Sequence, residues 1–341
     1  MIIDLRSDTV TRPTPPMLEA MMQAEVGDDV FGDDPTVNRL EEKAAVLFNH
    51  EAGLYCPSGT MTNQIALKVH TQPGDEIICD ELSHIYRYEG GGAAFNSGAS
   101  ERLLKGDRGR IKAQQVLENI NPDDVHFPHT SLVVAENTAN KGGGSCYELS
   151  DLHSISKVCK ENNLKFHLDG ARIFNAIAAK DYTSRDIGFL FDSVSICLSK
   201  GLGAPVGSLL LGNKDFIKKA RRIRKVFGGG MRQAGYLAAA GIYALDHHVE
   251  RLKEDHLRAR RIGEELSGLS FVQEVLPVES NIIVFRLDDK IKDAEFIKML
   301  AEKSIHVTGF GPRLIRMVTH LDFTDEMMGE LLQRIHHLNL P

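Results

Sequence analysis

An acidic residue and a lysine each follow a short apolar segment of the chain, and side chains of these two types could together hold an aldehyde cofactor. Asp169 ends the segment 164–168, and Lys200 follows the segment 193–198. If both segments are neighbouring strands, the two side chains project from the same edge of a sheet. A lysine amine forms a Schiff base with the aldehyde of pyridoxal 5'-phosphate, and a carboxylate keeps the pyridine nitrogen of that cofactor protonated. The pair therefore predicts a pyridoxal phosphate site, although either residue alone more often ends a strand or lies on the surface.

A turn at Ser58, Gly59 and Thr60 has the composition of a phosphate-binding site. It stands between a predicted strand and a predicted helix. It offers two hydroxyls, a glycine that permits close approach and the free amides of a helix N-terminus. The same triplet is also typical of a plain helix cap. Its position ahead of Asp169 and Lys200, each at a strand end, favours binding of the cofactor phosphate.

Two histidines and two arginines are further candidates for chemistry. His84 and His126 could exchange protons near neutral pH, and His84 could also lie against a flat ring after a predicted strand. Arg172 and Arg316 could bind a substrate carboxylate through paired hydrogen bonds. A lone histidine is more often structural and a lone arginine more often forms a surface ion pair, so position alone does not decide these roles.

The composition indicates an ordinary globular protein. The chain has 341 residues and a net charge of −7, which disfavours a nucleic-acid partner, and the basic cluster 218–225 is interpreted as the solvated face of a helix. The sequence has no signal peptide and no apolar run of membrane-spanning length, so we expect a cytoplasmic protein. Five scattered cysteines predict reduced thiols. The His-x-x-His pair at 126–129 contains a proline, so no metal site is expected.

Apolar strand-like runs alternate with helical stretches, which is typical of an α/β fold with a mostly parallel sheet. We predict an N-terminal arm over 1–13, a large cofactor-binding domain over 14–248 and a smaller α/β domain over 249–341. A single long helix is predicted through roughly 232–265.

Six ordered blocks of the sequence resemble one known family. The blocks are Leu-Arg-Ser-Asp-Thr-Val-Thr (5–11), Val-Gly-Asp-Asp-Val (26–30), Pro-Ser-Gly-Thr (57–60), His-Leu-Asp-Gly-Ala-Arg (167–172), Leu-Ser-Lys-Gly (198–201) and Gly-Gly-Gly-Met-Arg-Gln (228–233). They resemble the low-specificity L-threonine aldolases, which belong to the aspartate-aminotransferase-like, fold-type I class of pyridoxal phosphate enzymes. The resemblance runs from the N-terminus into the small domain.

The resemblance implies a role for each matching position. Lys200 would be the Schiff-base lysine, Asp169 would contact the pyridine nitrogen, and His84 would stack on the cofactor ring. The other implied positions are Gly59 and Thr60 with Ser58 at the phosphate; Ser7, Arg172 and Arg316 at the substrate carboxylate; His126, Lys225 and Arg232 as further site residues, some of them from an adjacent subunit; and Phe31, where many relatives carry tyrosine. Such enzymes are typically homotetramers built from dimers with shared sites.

The implied activity is retro-aldol cleavage of L-threonine and L-allo-threonine to glycine and acetaldehyde, a reaction of amino-acid metabolism. His84 or His126 would take the proton from the β-hydroxyl, and the sequence does not choose between them. Another pyridoxal phosphate lyase or racemase could use the same electron sink, and a β-eliminating enzyme would release pyruvate in place of an aldehyde. A binding protein without turnover is a third class, but it would not need Lys200 or the carboxylate-binding arginines.

Overall fold

A seven-stranded sheet forms the larger part of the protein in the computed structural model, which describes residues 1–338. The strands of the chain are β1 (Ile3–Asp4), β2 (Ala52–Cys56), β3 (Glu76–Asp80), β4 (Ser100–Leu104), β5 (Thr130–Glu136), β6 (Lys165–Gly170), β7 (Ser193–Cys197), β8 (Ser208–Gly212), β9 (Val272–Val275), β10 (Ile282–Leu287), β11 (Ile305–His306), β12 (Thr308–Gly311) and β13 (Leu314–Val318). All residues of β3, β7 and β8 are buried, because helices cover both faces of the sheet.

The strand order of the large sheet is β2-β8-β7-β6-β5-β3-β4. Neighbouring strands from β7 to β4 run parallel, whereas β8 runs antiparallel to both β2 and β7. The predicted α/β class with a mostly parallel sheet is therefore confirmed, and the reversed strand β8 is a detail that the sequence did not reveal. In the register of β6 and β7, Asp169 lies opposite Ser195, so Asp169 and the loop that carries Lys200 lie at the same end of neighbouring strands.

Helices connect the strands, and several of them begin at a side-chain cap. They are α1 (Pro15–Met22), α2 (Pro35–Leu47), α3 (Gly59–His70), α4 (His84–Arg87), α5 (Ala113–Glu118), α6 (Leu149–Glu161), α7 (Ile173–Ala179), α8 (Ser184–Gly188), α9 (Lys214–Val226), α10 (Gly235–His247), α11 (Leu252–Ser267), α12 (Asp293–Glu302) and α13 (Asp325–His336). At α2, Asp34 Oδ1 accepts hydrogen bonds from the amides of Thr36 and Val37 at 3.1 and 3.0 Å. A proline in the first turn completes this helix start.

The predicted long helix over 232–265 is wrong, because the chain forms α10 and α11 with a break between them. At the break, His248 bonds through Nδ1 to the carbonyl oxygen of Leu202 at 2.7 Å. This contact with the loop after β7 is tertiary, so no local sequence signal predicts the break.

A smaller unit follows, with the antiparallel sheet β12-β13-β10-β9 packed against α11, α12 and α13. Its core includes Ile3 and Leu5 from the N-terminal arm, and β1 pairs with β11. We propose the division into arm, large domain and small domain at the boundaries 1–13, 14–248 and 249–341, and the separate core clusters of the two units support it. Residues 339–341 lie outside the described part of the chain.

The structure also bears on the predictions for the cysteines, for membrane-spanning helices and for the basic cluster 218–225. All five cysteines are buried free thiols. Within residues 1–338, no helix combines the length and apolar character needed to cross a membrane. The interpretation of 218–225 as a solvated face is wrong at Arg224, which is buried in α9 with Nη2 only 2.7 Å from the carboxylate of Asp29, because this ion pair draws the side chain inward.

Candidate active site

The buried carboxylate of Asp169 lies at the end of β6. It is 1% exposed, and it accepts hydrogen bonds from Asn63 Nδ2 at 2.8 Å and from the amide of Ala171 at 3.1 Å. Among residues 1–338, no lysine, arginine or histidine nitrogen comes within 4.0 Å of its oxygens. Burial of a carboxylate without a cation is costly. Asp169 is therefore placed to receive a cation from a bound group.

A chain of hydrogen bonds runs from Asp169 through the sheet. Asn63 Oδ1 lies 3.2 Å from His167 Nε2, His167 Nδ1 lies 2.8 Å from Ser193 Oγ, and that hydroxyl lies 2.8 Å from His70 Nε2. Burial lowers the pKa of His167 to about 4 and that of His70 to about 3, so both rings are neutral at pH 7. With Asn63 donating to Asp169, the neutral His167 must donate to Asn63 and accept from Ser193, which accepts from His70. Every donor along the chain therefore points toward Asp169.

Lys200 lies in the loop between β7 and β8 and lines a cavity of about 330 Å³. The wall of this cavity also contains Ser7, His84, Arg172 and Arg316, which the sequence had proposed as site residues. Lys200 is half-buried, and no carboxylate of the described chain lies within ion-pair distance of its amine. The structure thus brings the proposed lysine, histidine, serine and arginines around one cavity.

Several residues of the cavity wall were not found from the sequence. They are Thr9, Tyr88, Asn140, Lys141, Thr308, Gly309 and Phe310. They come from the N-terminal arm, from the short helix after β3, from the loop after β5 and from β12 of the small unit. The Asn140 position follows a strand end, which was an available signal, whereas β12 lies near the cavity only because of the tertiary fold.

The two arginines are held differently. Arg172 donates from Nε and Nη2 to the two oxygens of Asp8 at 2.8 and 2.7 Å. Arg316 donates to Asn140 Oδ1 at 2.7 Å and to the carbonyl of Arg6 at 2.9 Å, while its buried Nε has no hydrogen-bond partner. Burial and the charge of Arg172 lower the pKa of Arg316 to about 10. Two neighbouring cations, one with an unused donor, suit an anionic ligand.

The ring of His84 is fixed by acidic neighbours. Its Nδ1 lies 2.9 Å from Glu89 Oε1, and the same carboxylate accepts hydrogen bonds from Asn63 and Gln64. Burial alone would lower the pKa of His84, but the hydrogen bond to Glu89 and the nearby charges, Asp169 among them, raise it above the ordinary value. Because Glu89 is an acceptor, Nδ1 carries the proton and Nε2 of the neutral ring keeps a lone pair.

Three neighbouring residues of this region are also of types that bind metal ions. Ligand-type atoms of His84, Glu89 and Asp169 lie within 4.8 Å of one another. Each already has a hydrogen-bond partner in the network around Asn63. The cluster is therefore explained as a hydrogen-bonded network, of which His84 lines the cavity.

The turn at residues 58–60, which is proposed to bind the cofactor phosphate, begins α3. Ser58 Oγ accepts a hydrogen bond from the amide of Met61 at 3.2 Å, which caps the helix, and both Ser58 and Thr60 are exposed. A Cβ atom added at Gly59 would lie 2.5 Å from Cys197 Sγ, at the end of β7. Only glycine therefore lets the helix N-terminus lie this close to the strand that leads to Lys200.

Eight proposed site residues are absent from the wall of this cavity. They are Ser58, Gly59, Thr60 and Asp169, described above, and the four residues that follow. His126 lies on an exposed loop, with Nδ1 2.7 Å from Asp124 Oδ1. Phe31 is 76% exposed, with the guanidinium of Arg232 5.8 Å from its ring centre. Lys225 is exposed near the end of α9. Within this chain these four residues are therefore exposed groups outside the wall of this cavity.

The donor set fits pyridoxal phosphate. The buried Asp169 without a cation matches a protonated pyridine nitrogen, Lys200 supplies a primary amine, and the capped turn at Gly59 offers helix amides to a phosphate. These features, on a mostly parallel sheet with the site at the strand ends, define a pyridoxal phosphate enzyme of the lysine-anchored class.

The chain belongs to the beta-eliminating lyase family, whose model matches residues 4–289. It is 44% identical over 331 residues to a low specificity L-threonine aldolase of Escherichia coli (strain K12), covering 97% of each chain. It is 41% identical to the probable low-specificity L-threonine aldolase 2 of Arabidopsis thaliana, covering 98% of this chain and 97% of that protein. The resemblance found in the sequence blocks is thereby confirmed.

Solved structures show the same fold. A threonine aldolase from Leishmania major superposes with a TM-score of 0.80 at 24% identity, covering 98% of this chain and 99% of that one. A putative L-allo-threonine aldolase from Listeria monocytogenes also gives a TM-score of 0.80, at 20% identity, covering 97% and 94%.

Proposed function

We propose that this protein is a pyridoxal phosphate-dependent aldolase that cleaves L-threonine and L-allo-threonine between Cα and Cβ, giving glycine and acetaldehyde. The observation that carries the proposal is the cavity in which an amine, Lys200, lies among two arginines and a histidine. That histidine, His84, has a ring nitrogen within 4.8 Å of a carboxylate oxygen of the buried Asp169. The curated relatives named as threonine aldolases, aligned over nearly the whole chain, support the choice of reaction.

Three parts of the chain would bind the cofactor. Lys200 would hold the cofactor, Asp169 its ring nitrogen, and Ser58, Gly59 and Thr60 its phosphate. When bound, pyridoxal phosphate supplies an electron sink for the bond that breaks at the substrate α-carbon.

The substrate carboxylate would lie between Arg172 and Arg316, with Ser7 beside them. A carboxylate bound at fixed donors restricts rotation of the α-carbon, so these residues select which bond is aligned for cleavage. The residues that bind the carboxylate would thus determine which bond of the α-carbon is cleaved.

His84 is the proposed base for the β-hydroxyl proton. Glu89 fixes the ring with the proton on Nδ1, which leaves Nε2 as the acceptor. Positioned proton transfer of this kind contributes roughly 10²- to 10⁴-fold in rate.

The test is aldehyde release by the purified, cofactor-loaded protein. L-threonine and L-allo-threonine are supplied separately, acetaldehyde is followed through an NADH-consuming dehydrogenase, and glycine is quantified in the same samples. Lys200→Ala serves as the blank and should lose both the visible absorption of the bound cofactor and the aldehyde. Pyruvate or a D-amino acid in place of acetaldehyde would show a β-eliminating lyase or a racemase and overturn the proposal.

We also propose a cytoplasmic homotetramer in which His126, Lys225, Arg232 and Phe31 act in the site of a neighbouring subunit. Their exposure, and their absence from the cavity wall of their own chain, support this arrangement. Light scattering should give a tetramer. Co-expression of Lys200→Ala with Arg232→Ala subunits should restore activity that neither variant has alone. In a mixed pair of subunits, one of the two shared sites contains an unchanged Lys200 from one subunit and an unchanged Arg232 from the other. Absence of recovery in confirmed mixed assemblies would contradict shared sites.

A further inference from the structure

The carboxylate of Asp8, in the N-terminal arm, is completely buried against Arg172. Its Oδ2 accepts from Nε and its Oδ1 accepts from Nη2. This pairing uses one edge of the planar guanidinium. The other edge, formed by Nη1 and the second hydrogen of Nη2, remains available where Arg172 lines the cavity.

Asp8 also connects three parts of the molecule. Asn281, at the start of the small-unit strand β10, donates from Nδ2 to Asp8 Oδ2 at 3.3 Å. Thr11 Oγ1 lies 3.0 Å from the carbonyl of Asp8 and 3.1 Å from that of Lys200. Hydrogen bonds therefore connect the arm to the loop that carries Lys200 and to both units. They lie at or near Asp8, and the neighbouring residue Ser7 lines the cavity.

The charge state of Asp8 follows from its surroundings. Burial would raise the pKa of Asp8, but the charges of Arg172 and Lys200 and the hydrogen bonds from Arg172 hold it far below the ordinary range. Asp8 is consequently an ionised partner that balances the buried charge of Arg172 before any substrate arrives.

We infer that Asp8 is a positioning residue for substrate-carboxylate binding: it fixes the guanidinium of Arg172 with one edge turned to the cavity and places Ser7 beside it. The inference rests on the proposed function, in which Arg172 binds the substrate carboxylate. Without Asp8, the guanidinium could rotate, and the incoming carboxylate would have to orient the arginine as well as pair with it. Asp8 touches neither substrate nor cofactor in this role.

The alternative is that Asp8 only stabilises the fold. A purely structural pair would weaken all ligands alike when broken. A positioning residue would weaken ligands that carry a carboxylate and leave other amines unaffected. The ratio of affinities for glycine and methylamine separates the two roles, since both bring an amine to the site but only glycine has a carboxylate.

The test measures the binding of glycine and methylamine to the cofactor-loaded protein from the change in the visible cofactor spectrum. Asp8→Asn keeps the shape of the side chain but removes its charge. Because hydrogen bonds between charged groups contribute about 1.5–3 kcal/mol, we expect glycine binding to weaken by about 10- to 100-fold. Methylamine binding and cofactor affinity should change less than about threefold, and the KM for threonine should rise more than kcat falls.

Asp255→Asn is the matched control. Asp255 is also buried and accepts two hydrogen bonds from one arginine, Arg251, at 2.6 and 3.0 Å, but it does not line the cavity. This variant should lower the thermal midpoint without changing the ratio of glycine to methylamine affinity.

A second variant covers the case in which Asp8→Asn does not fold. Asp8→Glu keeps the charge but displaces the guanidinium, and it should still weaken glycine relative to methylamine. Unchanged glycine binding in either folded Asp8 variant, or equal weakening of both amines, would overturn the inference. Glycine binding needs no cleavage of a Cα–Cβ bond, so failure of the wild-type protein to release aldehyde would count against the proposed function and not against the role of Asp8.

Discussion

The hydrogen bond between His84 and Glu89 leads to a prediction about pH. If His84 accepts the β-hydroxyl proton, cleavage requires its neutral form, which appears only above its pKa. The hydrogen bond to Glu89 and the surrounding carboxylates raise that pKa against the opposing effect of burial. The cleavage rate should therefore increase with pH, with a midpoint above the ordinary histidine value of about 6.5.

Glu89→Gln tests this dependence, because glutamine can still accept the hydrogen bond but has no charge. The midpoint of the rate profile should move to lower pH, measured as single-turnover cleavage of threonine between pH 5.5 and 9. An unchanged midpoint would exclude His84 as the group that sets the profile.

At the same scale, the strand pattern alone brings Asp169 and Lys200 together but does not reveal the residues that were missed. Asp169 and Lys200 stand directly after apolar segments, so their meeting at one sheet edge follows from that pattern. Thr9, Lys141 and Phe310 reach the cavity through the arm, a loop and the small unit. Their positions depend on how distant segments pack, which a strand pattern does not contain.

The contact between the start of α3 and the end of β7 leads to a prediction at the level of elements. In Gly59→Ala, the added methyl group would clash with Cys197 Sγ and push the helix N-terminus away from the strand. Overpacking of this kind costs about 1–3 kcal/mol, so we expect cofactor affinity to fall by about tenfold or more.

Cys197→Ala removes the sulfur that the methyl group would meet. The double variant Gly59→Ala/Cys197→Ala should recover most of the affinity, measured by fluorescence titration with pyridoxal phosphate, and Cys197→Ala alone is the control. If the double variant binds pyridoxal phosphate no more tightly than Gly59→Ala does, the loss of affinity has another cause.

The elements that could be predicted are those with strong local signals. The apolar segments 164–168 and 193–198 appear in the structure as β6 and β7, close to their expected bounds. The reversal of β8 and the break after α10 could not be predicted, because each depends on a tertiary partner. For the break, that partner is the carbonyl of Leu202.

Buried histidines determine how the whole molecule should respond to acid. Burial lowers the pKa of four of them, His50 to about 4, His70 to about 3, His167 to about 4 and His256 to about 4. The unfolded chain binds protons at these sites from about pH 6.5 downward, whereas the folded protein does not. Each of these histidines should therefore lower the free energy of unfolding as the pH drops from 6.5 to 5, by up to about 1.4 kcal/mol per pH unit. Buried Glu136, whose pKa burial raises to about 7, acts in the opposite direction.

His70→Gln isolates one of these contributions, since the amide can still donate to Ser193 Oγ. Urea unfolding of the cofactor-free protein at pH 7.5, 6.5 and 5.5 should show a shallower pH dependence for the variant than for the wild type. An identical slope would mean that His70 is protonated in the folded state.

The pairing of β1 with β11 also has a consequence for biosynthesis. The arm leaves the ribosome long before its partners, since Ile3 pairs with Ile305 and Asp8 meets Asn281. At a synthesis rate of roughly 5–20 residues per second, the arm waits about 15–60 s for these partners. The seven-stranded sheet, complete at residue 212, can form during that time. In each newly made chain, the strands next to Asp169 and Lys200 are therefore synthesised before β12 and β13, which complete the cavity wall.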